Sequence, residues 1–236
     1  MNSAPEILKL LNTQGICVLP NYYPPEFCDQ AVIDIDTAIT RFSEKVEHKD
    51  KEGCGGDHRI YKMENQFETA HQFAKEKLFL EVLSSYKNCP ITTHFTLGGK
   101  VEYRAGSTTN SGAGWHKDSG HEVQVKAMVY LTDTSDENGP FLFLPISPSF
   151  QLPTRDGNPN YTRYSDETIK SFCLEHNVQP VRVTGTRGTV ILANTSFIHR
   201  GENIKDGLRY SYTNYCFENS AARLRLSEES WGDLYI

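Results

Sequence analysis

The strongest constraint on the fold is a change of pattern at Cys89-Pro90. After it come "ITTHFTLGGKVEYRA", "EVQVKAMVYLTD", "GPFLFLPIS", "PVRVTGTRGTVILAN" and "RYSYTNYCFE", separated by stretches of Gly, Asn, Asp and Pro. Their β-branched and aromatic side chains suit a pleated, half-buried surface and the separators supply turns, so each run predicts strand. Before the change, apolar residues recur at helical spacing. Ile7, Leu8, Leu10 and Leu11 predict a short helix that Gly15 ends, ahead of the strand "ICVL". "PPEFCDQAVIDIDTAITRFSEKVEH" predicts a second helix and "ENQFETAHQFAKEKLFLEVLSSYKN" a third, with the glycine-rich, charged "KDKEGCGGDHR" as a loop between them. Helices first, then a meander of short strands, predict a mainly β fold with flanking α: a sheet sandwich or barrel braced by N-terminal helices.

A chain of 236 residues suits a single domain over 1–236, with a helical part to about residue 90 and a sheet core over about 91–220. The polar, partly helical excursion near 150–180 is too long for a hairpin loop and reads as a lid or substrate wall. The net charge of −6, with basic residues scattered, argues against nucleic acid as a partner. No window approaches the roughly 18 apolar residues that cross a bilayer, so no membrane partner is expected. The start lacks the basic head and apolar stretch of a signal peptide, and the six cysteines form no C-x-x-C pair. These features predict a cytoplasmic protein, in which the sequons at Asn160 and Asn194 carry no meaning. Oligomeric state is left open.

Chemistry concentrates at "GAGWHKDSG". Alternate residues of a strand face one way, so His116 and Asp118 can present imidazole and carboxylate to one point. A second histidine, His199, follows the strand-like "GTVILANTSFI". Two imidazoles and a carboxylate make the facial triad suited to non-haem Fe(II), with open positions for a bidentate co-substrate and dioxygen. Arg209 lies ten residues beyond His199 at the head of a strand. An arginine inside a barrel is costly unless an anion meets it, and its planar fork suits a carboxylate. If Arg209 points inward, period two also turns Ser211, Thr213 and Tyr215 inward, with Ser211 the nearest hydroxyl to assist. The bland alternatives are a turn for the H-x-D pair, a core histidine, and an arginine in a structural ion pair.

The ordered set of H-x-D, distal His and Arg resembles the Fe(II)/2-oxoglutarate-dependent dioxygenases. "WHKDSG", "KAMVYLTDTSDENGPFLFLPISPS", "GTVILANTSFIHRGENI" with "RYSYTNY", and the early "GICVLPNYYPPEFCDQA" are similar to the phytanoyl-CoA dioxygenase-like branch, over roughly residues 5 to 220. The resemblance implies a double-stranded β-helix (jelly-roll, cupin-like) with His116, Asp118 and His199 on Fe(II) and Arg209 on 2-oxoglutarate. It also implies turnover of a small organic molecule with O2, releasing succinate and CO2. Halogenating relatives replace the carboxylate ligand by a small residue, so Asp118 favours hydroxylation or a related oxidation. The alternatives are a non-catalytic jelly-roll binding protein and a cupin-like metalloenzyme that does not use 2-oxoglutarate. The excursion near 150–180 matches no substrate class.

Several neighbours rank lower. Tyr103 joins Arg209 and Ser211 as a candidate for the co-substrate, and Lys126 is a weaker one, since a strand lysine is more often exposed. Trp115 fits the cavity or the core equally, and His121 falls on the opposite strand face from His116. Cys54, Asp57 and His58 superficially suggest a second metal site, although glycines and charges more simply make a mobile loop. "GSTTNSGAG" lacks the Lys-Ser/Thr ending of a P-loop, and "HRGEN" is not H-E-x-x-H.

Overall fold

The computed structural model of the chain describes residues 3–48, 56–105, 114–118, 124–147, 152–154 and 162–218. The N-terminal part holds α1 (Ala4–Gln14), β1 (Ile16–Leu19), α2 (Pro25–Arg41), β2 (Glu47–His48), β3 (Asp57–Ile60), α3 (Glu68–Ala74) and α4 (Lys77–Lys87). The remainder holds β4 (Ile91–Glu102), β5 (Trp115–His116), β6 (Val125–Tyr130), β7 (Phe141–Phe143), β8 (Arg163–Tyr164), α5 (Asp166–His176), β9 (Val181–Val183), β10 (Val190–Asn194), β11 (His199–Gly201) and β12 (Leu208–Glu218). Two antiparallel sheets result: a larger one in the order β1-β10-β6-β12-β4-β3-β2, and a smaller one in the order β8-β5-β11-β7-β9. This is the jelly-roll sandwich expected, with α1 to α4 bracing the larger sheet.

Strand alternation builds the layers. In β10, Val190 and Leu192 join the cluster under the helices, with Ile7, Leu11, Ile35, Phe73 and Phe79. Ile191 and Ala193, one step out of phase, point the other way and pack with Phe143 and Val183 between the sheets. Each fully buried Leu, Ile or Phe of this kind contributes about 1.5–3 kcal/mol. A further cluster, with Trp115, Leu142, Ile169 and Phe172, fastens α5 to the smaller sheet.

Four local expectations need correction. The third helix is broken: a 3-10 turn at Met63–Asn65 precedes α3, and α4 starts afresh behind Glu76, whose carboxylate accepts the Leu78 N–H at 3.3 Å. The second helix stops at Arg41, because the chain turns through Ser43–Lys45 into β2. The end of the supposed glycine-rich loop is strand β3, paired to β4 on one side and β2 on the other. Finally, "PVRVTGTRGTVILAN" supplies two strands in different sheets, since the turn at Gly188 (φ 84°) reverses the chain between β9 and β10. A Cβ on Gly188 would fall 2.1 Å from the Tyr23 carbonyl oxygen, so only glycine fits there.

Candidate metal centre

His116 and His199, distant in sequence, are direct cross-strand partners. β5 pairs antiparallel with β11 with His199 opposite His116, and their rings lie 4.4 Å apart. Just past β5, Asp118 is tied down by its N–H to the Thr195 carbonyl at 2.9 Å. Its Oδ1 lies 3.7 Å from His116 Nε2 and its Oδ2 lies 3.4 Å from His199 Nε2. One ligand atom from each of the three residues falls within 4.8 Å of the others, the one such cluster among the described residues.

Each ring is oriented from behind. His116 Nδ1 is 2.9 Å from the Gly114 carbonyl and His199 Nδ1 is 2.9 Å from the Phe197 carbonyl. A carbonyl accepts only, so each Nδ1 carries the proton and each Nε2 lone pair faces the centre. Burial, and then the neighbouring His199, push the His116 pKa down to about 3, which keeps its imidazole neutral. For Asp118, burial favours the acid form, but the Lys126 ammonium and His199 outweigh it and hold the carboxyl well below its usual range. Asp118 Oδ2 is buried and faces the Lys126 ammonium and His199 Nε2. Two imidazoles with Nδ1 held by carbonyls, together with an ionised carboxylate, fit a divalent first-row metal such as Fe(II).

The triad opens on a cavity of about 490 Å³ between the sheets. Arg209, Ser211, Thr213 and Tyr215 all line it, while Tyr210, Tyr212 and Cys216 face the helices. The β12 alternation therefore runs unbroken from Arg209 to Tyr215, and the register shifts only after Tyr215. Arg209 is 8% exposed; burial works against its charge, and Tyr130 and Asp57 work for it.

The family model for phytanoyl-CoA dioxygenase (PhyH) matches residues 11–207. The chain belongs to that family. The match takes in all three candidate ligands and stops just short of Arg209. No curated protein sequence matches this PhyH-family chain. Among solved structures, it is similar to the epimerase SnoN in complex with Fe3+, alpha ketoglutarate and nogalamycin RO, at 14% identity and a TM-score of 0.72, covering 91% of this chain and 83% of that one. It is similar to EctD from S. alaskensis with 2-oxoglutarate and 5-hydroxyectoine at 15% identity and a TM-score of 0.70, covering 92% and 76%. For HygX from Streptomyces hygroscopicus with nickel and 2-oxoglutarate bound, the values are 16%, 0.62, 91% and 86%. At these identities the likeness is one of fold.

The lesser candidates sort by position. Tyr103 is 47% exposed and is not among the residues lining the cavity. Trp115 is a core residue of the smaller sheet's cluster, with the Arg200 guanidinium 5.6 Å over its ring. His58 lies 3.8 Å from Glu102 and Asp57 pairs with Arg59, so these two residues do not converge on a second metal site. His121 and Cys54 lie outside the described residues. Lys126 departs most from expectation: it is buried, with Nζ 2.5 Å from Asp118 Oδ2 and 4.1 Å from the centre of the Tyr215 ring. In β6, Val125, Ala127 and Val129 pack under the helices, which turns Lys126, Met128 and Tyr130 inward. Arg59, also in the cavity, was missed because its segment reads as loop.

Proposed function

We propose that the chain is an Fe(II)- and 2-oxoglutarate-dependent oxygenase that hydroxylates, or otherwise oxidises, a small organic molecule. One observation carries this reading: three ligand atoms with their lone pairs freed toward one point share a cavity with a buried arginine. His116, Asp118 and His199 would hold the iron, and Arg209 would receive the far carboxylate of the co-substrate with Ser211 beside it. Bound there, iron and 2-oxoglutarate supply the oxidising power, with O2 consumed and succinate and CO2 released. The chain's own part is binding, orientation and exclusion of water. Nδ1–H bonds fix both imidazoles, Lys126 holds the carboxylate ionised, and Phe141, Met128 and Leu97 give the cavity apolar walls. An intact Asp118 supports hydroxylation over halide transfer.

The test is anaerobic addition of Fe(II) and 2-oxoglutarate to the apo-protein. A visible charge-transfer band of the iron chelate is expected. Its absence under reconstituting conditions would favour a binding protein, or a metalloenzyme using no 2-oxoglutarate.

A further inference from the structure

The cavity carries more positive charge than the proposed iron and co-substrate account for. Asp118 is the one acid among its described lining residues, against Arg59, Lys126 and Arg209, with Lys117 and Arg163 also on the lining. Lys126 is committed to Asp118. That leaves two arginines facing Asp57, a fully buried carboxylate on β3. A metal dication and a 2-oxoglutarate dianion neutralise each other, so their arrival leaves this balance unchanged. Three side-chain cations still meet two side-chain carboxylates.

Arg59 is where the surplus sits. β3 places it opposite Gly99, and β12 places Ser211 on the other side of the same glycine, so the three form one row across the sheet. Gly99 offers no side chain, and a Cβ there would come within 3.3 Å of Ser211 Oγ, so the floor in front of the guanidinium is open. The next row is Asp57, Val101 and Arg209. Arg59 reaches Asp57 through one Nη at 3.3 Å, long and single for a pair able to bond twice. Arg59 Nε and Asp57 Oδ1 are both left without a hydrogen-bond partner among the described residues. A guanidinium held this loosely, its side chain 16% exposed in a cavity, is short of an anion.

We propose that the primary substrate carries an oxyanion, a carboxylate or a phosphate monoester, and that Arg59 receives it. This rests on His116, Asp118 and His199 being the metal site and on Arg209 taking the co-substrate, which leaves Arg59 for the molecule to be oxidised. An anion there supplies the missing charge and completes the guanidinium's hydrogen bonding. It also fixes one end of the substrate in the cavity that the triad faces, which is what selecting one carbon for oxidation requires.

The test compares matched probes: hexanoate with hexanamide, and hexyl phosphate with hexanol. Each is titrated into the protein, with and without Mn(II) and saturating 2-oxoglutarate, while the unfolding temperature is followed. An anionic probe should raise that temperature more than its neutral partner, and the two arms report which oxyanion is preferred. In Arg59→Gln the anion's apparent affinity should fall roughly tenfold or more, as for loss of a charge-assisted bond; Arg59→Lys should recover part of it. Equal shifts within both pairs, no shift from either anion, or an anion shift that survives in Arg59→Gln would overturn the proposal. So would an Arg59→Gln protein whose main defect is in 2-oxoglutarate binding, because Arg59 would then belong to the co-substrate. If Arg59→Gln does not fold, the wild-type pairs and Arg59→Lys still decide. A missing iron charge-transfer band would count against the cofactor reading alone, since the anion preference is also read without metal.

Discussion

At the residue scale, three roles in the cavity separate by what each side chain contacts. His116 and His199 turn Nε2, and Asp118 its carboxylate, toward one point, so His116→Ala, Asp118→Ala or His199→Ala should abolish succinate formation from 2-oxoglutarate. Full turnover in any one would remove that residue from the ligand set. Arg209→Ala should chiefly raise the 2-oxoglutarate concentration required, read as KM against kcat. Lys126 differs, because it stands against Asp118 before any metal does. Removing one partner of a buried ion pair costs about 3–5 kcal/mol. Lys126→Met should therefore lower the unfolding temperature of the metal-free protein and widen the gain on adding Mn(II). An unchanged metal-free protein would mean the pair carries no stability. His116 adds a pH dependence of known sign. Its folded pKa, near 3, lies below the ordinary 6.5, so the unfolded chain binds the extra proton first. The metal-free protein should lose up to about 1.4 kcal/mol per pH unit as pH falls from 6.5 toward 3, and His116→Gln should flatten that slope. The candidate metal triad is legible in the sequence because an H-x-D pair, a later isolated histidine and an arginine ten residues on leave few other arrangements. Lys126 is not, since a lysine between apolar residues looks the same whether its face meets solvent or a cavity.

At the element scale, legibility follows the length of the periodic signal. β12 is eleven residues long and alternates unbroken from Arg209 to Tyr215, so one inward residue, Arg209, orients Ser211, Thr213 and Tyr215 with it. By contrast β2, β5, β8 and β11 are two or three residues long, too short to show a period, and they exist because a partner strand is already in place. Both histidines sit on such strands, so side-chain chemistry points to the candidate metal site where secondary-structure pattern is silent. The break between α3 and α4 is a similar case. "FAKEKLF" continues a helical apolar pattern, yet Glu76 leaves the helix with ψ at 108° and caps α4 through Leu78 N–H. Losing such a cap typically costs about 0.5–2 kcal/mol. Glu76→Ala should lower the unfolding free energy by that amount, read in denaturant titration, and leave 2-oxoglutarate turnover per folded molecule unchanged. A more stable variant would mean that one continuous helix is the preferred state.

At the scale of the whole molecule, the sandwich turns separation in sequence into contact. The larger sheet spends one face on the helices and the other on the cavity, and this division sets the stability of the site. Cys17 on β1, Cys28 on α2 and Cys216 on β12 come from distant parts of the chain, yet all three are buried in the single cluster beneath the helices. Burial pushes their thiols up, to about 11, about 11 and about 12 respectively. A thiol reacts as its thiolate, so near pH 8 all three are protected by protonation as well as by access. Cys89, which is partly exposed, lacks that enclosure. If the helices and the larger sheet open as one unit, iodoacetamide should label Cys89 before these three, which should follow together at a common rate set by global unfolding. Mass spectrometry of the labelled peptides reads this directly. Early labelling of Cys28 with Cys216 still protected would show α2 detaching by itself. The inner face of the sheet, with Lys126 and Arg209, would then keep its shape without the brace behind it.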